Sequence, residues 1–152
     1  MEVQEVIEKI LNGVAVVTTR SGGNINGLSI AWMSQVSMTP PLVMVAMAKG
    51  RYTHELIEKS NVFAINILSD RQMDIAKHFG LKSGRTIDKF ESVDYNVKKT
   101  GSPILKNCLA YLDCEVYKSV DIGEYTIFVG EVVDAEIKST EPSLIYNSRD
   151  YY

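Results

Sequence analysis

Residues 26–57 read NGLSIAWMSQVSMTPPLVMVAMAKGRYTHELI, and the fold turns on how this stretch is parsed. It divides into two strands, a prolyl turn at Thr39-Pro40-Pro41 and the first turn of a helix. LVMVAMA (42–48) is a short, almost wholly apolar run, the pattern of a buried strand. Small hydroxyl residues crowd the first strand at Ser29, Ser34 and Ser37. A basic corner, Lys49-Gly50-Arg51, leads into Thr53, which stands where an N-cap belongs ahead of HELIEK. A helix N-terminus offers free N–H groups and the positive end of a dipole, and Lys49 and Arg51 add charge beside it. Such a corner suits a phosphate carried by a ligand long enough to lie along a sheet. On spacing alone, a cap that binds nothing is the commoner case.

Working outward, residues 3, 6, 7, 10 and 11 are apolar at helical spacing, and Gly13 ends that pattern. VAVVTT (14–19) is β-branched and reads as a strand, SGGNING (21–27) as a turn, and strand signals return over 28–37. A helix is expected over about 54–59 and a strand over VFAINIL (62–68). Ser69 with Gln72 forms a capping box that predicts a helix from 70 to about 79. Residues 80–107 are rich in loop signals. CLAYLDCEVYK (108–118) alternates, with Cys108, Ala110, Leu112, Cys114 and Val116 on one face and Tyr111, Asp113, Glu115 and Tyr117 on the other. EYTIFVGEVVDAEI (124–137) is long and strongly β, and Gly130 within it implies a bulge or a close backbone approach. About six strands with hairpin spacing predict a mainly β, antiparallel barrel or sandwich with a few short helices, as one domain over 1–152.

With 45% apolar and 23% charged residues, the chain has the make-up of a soluble globular domain. A net charge of −3 gives nucleic-acid binding no basic excess to work with. No apolar run is long enough to span a bilayer, and MEVQEVIEKIL lacks a signal peptide's basic start and apolar core, so a cytoplasmic location is expected. Cys108 and Cys114, if on one strand, sit roughly 20 Å apart, too far to bridge. Their spacing is not that of a zinc site, and no metal is expected.

Several motifs fail. GGNINGLS (22–29) has the glycine spacing of a nucleotide phosphate loop, but Leu28 occupies the lysine position. His54-Glu55 opens like a zinc-protease helix, yet position 58 is Glu. There is no GxGxxG. Both histidines, His54 and His78, read as partly exposed surface residues, and no nucleophile is paired with a base.

GVAVVTT (13–19), NGLSIAWMSQVSMTPPLVMVAM (26–47), RYTHELI (51–57), FAINIL (63–68), DKF (88–90) and GEYTIFVGEVVDA (123–135) together resemble the flavin reductase-like family, in that family's order. The segment 26–47 is the most specific part. The chain most resembles small flavoredoxin-type proteins and the flavin domains that pair with rubredoxin. The resemblance implies an antiparallel Greek-key split β-barrel that binds FMN, as a homodimer with flavin near the junction. It implies that Asn26, Gly27, Leu28, Ser29, Ile30, Ala31 and Trp32 lie along the isoalloxazine and ribityl chain, with Ser34 following. Arg51 and Thr53 would hold the phosphate, in keeping with the cap argument and with Lys49 adding charge. Lys89 of DKF would enter as a further cation. The C-terminal Tyr151 and Tyr152 resemble an aromatic end that closes over flavin.

One departure bears on activity. Many relatives carry His in GDHTIFVG, beside the flavin where nicotinamide docks, and this chain has Tyr125 there. Tyrosine can stack and donate a hydrogen bond but is neutral near pH 7. The first reading is an oxidoreductase passing electrons from NAD(P)H through flavin to a flavin or protein acceptor, with no side chain acting as acid or nucleophile. The second is an electron carrier whose flavin is reduced by a partner such as a rubredoxin or iron-sulfur protein. A third is a binding module without redox turnover.

Overall fold

The computed structural model describes residues 2–151, so Tyr152 lies outside the described residues. After a short helix α1 (Val3–Ile7), strand β1 (Ala15–Ser21) turns at Gly22-Gly23 into β2 (Asn24–Ile30). Ala31 and Trp32 link β2 to β3 (Met33–Ser37), which pairs back on β4 (Leu42–Ala48). Helix α2 (Tyr52–Ser60) leads to β5 (Val62–Ile67), and α3 (Met73–Leu81) follows. A small hairpin of β6 (Tyr95–Val97) and β7 (Pro103–Leu105) precedes the long hairpin of β8 (Ala110–Ile122) and β9 (Tyr125–Ile137). A single 3-10 turn, Ser148–Asp150, closes the tail.

Seven strands form one antiparallel sheet in the order β2-β1-β5-β8-β9-β4-β3. Its two edge strands, β2 and β3, are consecutive in the chain. Two linking residues span about 10 Å at most between strand ends. The sheet must therefore curl until its edges meet, and an antiparallel split barrel results. Between β2 and β3 the chain crosses from one edge of the sheet to the other, and between β4 and β5 it returns through α2.

Curling buries β1, β5 and the first residues of β8 on both faces. Ala15, Val17, Phe63, Ile65 and Cys114 point into the barrel with Val45, Met47 and Phe128, and Ile57 of α2 joins them. Val14, Val16, Ala64 and Tyr111 point outward into a second core, covered by Phe79 of α3, Phe90 and Leu105. That is why VAVV reads as an unbroken apolar run rather than an alternating one. Asn66 fixes the β7 segment from the outer face: its Nδ2 donates to Val16 O, and its Oδ1 accepts from Leu105 N.

The structure differs from the sequence expectations at several places. The turn expected over 21–27 is only Gly22-Gly23, and the strand expected over 28–37 is two strands broken at Ala31-Trp32. Among the described residues nine strands form rather than about six, because that break adds one and the 80–107 segment contributes β6 and β7. Helix α1 ends at Ile7 and buries nothing. Cys108 and Cys114 do not share a face: Cys108 precedes β8 and enters the outer core, while Cys114 enters the barrel. Gln72 does reach back to Ser69 N, at 2.9 Å, but Ser69 Oγ accepts from Arg71 N, so residues 69–72 are a turn and α3 starts at Met73. His54 is buried rather than exposed. Among the described residues no helix is long and apolar enough to cross a membrane.

Gly130 marks the tightest approach in the barrel. A Cβ there would lie 2.6 Å from Phe63 Cζ and 2.8 Å from Cys114 Cβ, and both neighbours are fully buried. Neither can move without opening the inner core. Gly130→Ala is therefore expected to lower folding stability by about 1–3 kcal/mol, read as a shift in the urea midpoint. An unchanged midpoint would mean that the barrel wall yields there.

Candidate functional site

The seam where the two sheet edges meet is concave. Its apolar end is a cleft of about 230 Å³ walled by Leu28–Trp32, by Ala46–Ala48 of β4, by Tyr125 and by Tyr146 and Tyr151 of the tail. Arg51, Gly80 and Leu81 line this cleft and also a second concavity of about 230 Å³, where Asn26, Thr53, Lys82, Ser83, Gly84, Arg85 and Lys89 appear. The two form one groove, apolar and aromatic at one end and cationic at the other.

The open edge of β2 supplies the groove's backbone. Gly27 pairs with Thr18 on β1 but turns its carbonyl the other way, to Lys89 Nζ. Strand backbone groups alternate sides with a period of two. The N–H and C=O of Ser29 therefore also face away from β1, along the groove. The Ser29 hydroxyl is committed elsewhere, donating to Ala76 O of α3 at 2.6 Å. At the mouth, Trp32 is 49% exposed and its ring lies 5.2 Å from that of Tyr125.

Thr53 is not the N-cap. Helix α2 begins at Tyr52 with Arg51 as N-cap, and Arg51 makes no side-chain capping bond. Thr53 lies in the first turn, where its buried Oγ1 accepts from Asn26 Nδ2 at 3.0 Å and keeps its own proton to give. The loop after α3 crosses directly over Asn26: a Cβ on Gly84 would fall 2.2 Å from Asn26 Oδ1, so only glycine passes there. Arg51 Nη2 reaches toward Gly80 O at 3.4 Å and stands at the junction of the two concavities.

Lys89 lines the cationic concavity and is only 2% exposed, so it is not a solvated lysine. Burial first, and Arg51 second, push its ammonium down to about 8. At neutral pH it is still mostly charged. Lys49 and Ser34 do not line the groove. Lys49 pairs with Asp121 at 3.4 Å, and Ser34 is exposed on β3 with its hydroxyl donating to Gln35 O. Buried His54 accompanies the site from behind, 2.7 Å from Thr126 Oγ1 beside Tyr125.

Sequence reading missed Arg85. Its guanidinium lies over the Tyr52 ring, 5.2 Å from the centroid, and donates to Glu55 Oε2 at 2.9 Å. The signal was present as Ser83-Gly84-Arg85 ahead of DKF, within a segment read only as loop. Tyr146 was missed too, and it stacks on Tyr151 at 5.6 Å.

A flavin fits this set of donors. The Tyr151 hydroxyl is buried without a hydrogen-bond partner, although its side chain lines the cleft. A buried orphan of this kind costs about 1–3 kcal/mol unless a ligand pairs it. The groove thus combines an unpaired phenol, open strand-edge backbone, flat aromatic walls and a cationic end.

The flavin reductase like domain model matches residues 7–152, and the chain belongs to that family. It is 31% identical over 150 residues to the ferric-chelate reductase (NAD(P)H) of Archaeoglobus fulgidus, covering 97% of this chain and 88% of that protein. It is 34% identical over 127 residues to the high molecular weight rubredoxin of Moorella thermoacetica, covering 82% of this chain but only 56% of the relative. Among solved structures, the NADH:FAD oxidoreductase SgcE6 of Streptomyces globisporus superposes with a TM-score of 0.88 at 28% identity, over 95% and 86% of the two chains. The FMN-binding protein of Thermus thermophilus gives 0.84 at 29% identity, over 90% and 81%.

Proposed function

We propose that the groove holds FMN and that the chain is an oxidoreductase passing electrons from NAD(P)H to a flavin or protein acceptor. The carrying observation is the groove's polarity, an aromatic cleft continuous with a cationic end, in a chain of this family. In this reading Leu28–Trp32, Ala46–Ala48, Tyr125 and Tyr151 enclose the ring, while Arg51, Thr53 and Arg85 meet the phosphate. A bound flavin supplies the redox chemistry, taking up a hydride and releasing electrons. The side chains bind, orient and exclude water. The Thr53 hydroxyl donates its free proton to the phosphate, and an anion beside Arg51 relieves the repulsion between Arg51 and Lys89.

A second reading, an electron carrier reduced by a redox protein, is favoured by one observation. Tyr125 and Trp32 pack together at the cleft mouth, where the resemblance places the nicotinamide, and Tyr125 stands in place of the histidine of many relatives. The rubredoxin relative agrees with it. We further propose a homodimer. Met33, Val43, Met44, Ile65, Ile67, Leu112 and Val132 line an open groove of about 530 Å³ that adjoins the inner core, apolar surface that a second copy would cover. A cytoplasmic location is proposed as well, with two unpaired buried cysteines in keeping with a reducing compartment.

Three measurements test these readings. Anaerobic mixing of the flavin-loaded protein with NADH and NADPH is expected to bleach it slowly, and Tyr125→His to bleach faster below neutral pH, where histidine is cationic. Bleaching by neither nucleotide would leave the carrier reading, and equal rates across pH 6–8 would remove Tyr125 from the donor step. Thr53→Ala is expected to weaken FMN by roughly tenfold, the scale of one charge-assisted hydrogen bond, and to leave riboflavin unchanged. FMN affinity should also fall as pH rises past about 8, because bound phosphate holds the Lys89 proton that the free protein loses there. Equal FMN and riboflavin affinities in the unmodified protein would remove the phosphate site. Sedimentation at micromolar concentration should give a mass near twice 17.0 kDa, and a mass of 17.0 kDa would remove the dimer.

A further inference from the structure

Lys89 differs from the other cations of the groove because two of its three ammonium donors are committed to main-chain carbonyls. Nζ donates to Gly27 O at 2.8 Å and to Phe79 O at 2.9 Å. Gly27 lies on the open edge of β2. Phe79 lies in the last turn of α3, where helical carbonyls lack intrahelical partners and favour a cation. The residue after α3, Lys82, is extended, so no left-handed cap serves those carbonyls. The main chain of Lys89 is tied down as well. Its carbonyl lies 2.7 Å from His78 Nε2, and an accepting carbonyl places the imidazole proton on that nitrogen. His78 Nδ1 is then the acceptor for Lys82 Nζ at 3.1 Å.

One side chain thus joins three pieces: the strand edge along the ring end, the end of α3, and the 82–89 loop that carries Ser83 and Arg85 over the phosphate end. We propose that Lys89 is a positioning residue, an ammonium strut that fixes β2 against α3 and the loop, so that both ends of the groove depend on it. The proposal rests on the reading of the groove as a flavin site. A lysine that served only as a phosphate ligand would discriminate FMN from riboflavin. A strut affects any ligand that lies along β2, with or without a phosphate.

The charged groups facing Lys89 are Arg51 at the N-cap of α2, Lys82 and Arg85 from the loop, neighbouring Asp88, and His78 from α3. Asp88 has its own local task, accepting from Phe90 N at 2.9 Å. No carboxylate is bonded to the ammonium among the described residues, so main-chain carbonyls alone neutralise it. Removing it therefore leaves two buried carbonyls unpaired rather than a free counter-charge.

The test compares Lys89→Met and Lys89→Arg with the unmodified protein. Lys89→Met keeps the length and loses the donors, and riboflavin affinity is expected to fall by about tenfold, with FMN affinity falling at least as far. Lys89→Arg keeps charge and donors and is expected to restore riboflavin affinity to within about threefold. In the flavin-free protein, Lys89→Met should speed amide exchange over residues 27–31 and 82–88 and leave β8 and β9 protected. Riboflavin affinity unchanged in Lys89→Met, with FMN alone weakened, would overturn the strut and make Lys89 a phosphate ligand. Unchanged exchange over both segments would overturn it too, whether or not flavin binds. Should Lys89→Met fail to fold, failure of Lys89→Arg to bind riboflavin in a folded state would overturn the proposal, and retained affinity would support it. If the unmodified protein takes up neither flavin, the reading of the groove fails, while the exchange experiment still decides the strut.

Discussion

Everything in this molecule follows from the shortness of the link between β2 and β3. These strands are the two edges of one sheet, and only Ala31 and Trp32 separate them. The edges cannot lie on opposite sides of a flat sheet, so the sheet curls, and β1, β5 and the start of β8 acquire two buried faces. Yet the edges do not pair with each other: β2 bonds only to β1, and β3 only to β4. Closure without pairing leaves a seam of unpaired backbone groups. Exposed strand edges are ordinarily blunted against aggregation. Here the seam is sheltered by α3, the 82–89 loop and the aromatic tail, and it becomes a groove whose donors and acceptors are pre-set.

The cationic end raises an electrostatic difficulty. Arg51, Lys82, Arg85 and Lys89 converge on one small concavity at the N-terminal end of α2, where the helix dipole is positive as well. Part of the repulsion is met locally. Glu55 takes Arg85 and, more loosely, Lys59, and the Tyr52 ring lies beneath the guanidinium. Lys89 is met by main-chain carbonyls instead of a carboxylate, which leaves its ammonium weakened by burial. Among the described residues Arg51 has no carboxylate partner, only a long contact to Gly80 O. In the proposed reading, a bound phosphate offsets this repulsion.

Much of this was readable from the residues, and the failures have specific causes. LVMVAMA forms β4 with the expected bounds because its flanks, Pro41 and Gly50, are strong punctuation. The break at Ala31-Trp32 was invisible because both residues are at home in a strand, and the interruption is imposed by closure rather than by local preference. SGGNING was read as all turn because glycine and asparagine disfavour strands. Gly27 sits within β2 for a tertiary reason: a Cβ there would lie 3.1 Å from Phe79 Cδ1. Thr53 was assigned the right neighbourhood and the wrong bond, since cap patterns resemble first-turn patterns one or two residues out of step. Arg85 was missed because nothing in a loop's sequence states what lies across from it in space.

The remaining question is what the aromatic mouth decides. Trp32 lies half in water, on a link that closure prevents from moving far, and its carbonyl is held by Ala46 N at 2.9 Å. Tyr125 begins β9 and pairs with Ala48 and Ile122. Tyr125 is thus carried by a strand end and Trp32 by the two-residue link beside it. A histidine at position 125 would be smaller and could carry charge near neutral pH, offering a dinucleotide both room and a counter-ion. Tyrosine offers neither, but it does present a rigid aromatic edge next to an exposed tryptophan. Such a surface suits contact with a protein that delivers electrons without inserting a ring of its own. In the reading proposed above, this pair of side chains is where a dinucleotide donor and a protein donor would be told apart, since the fold alone does not decide activity.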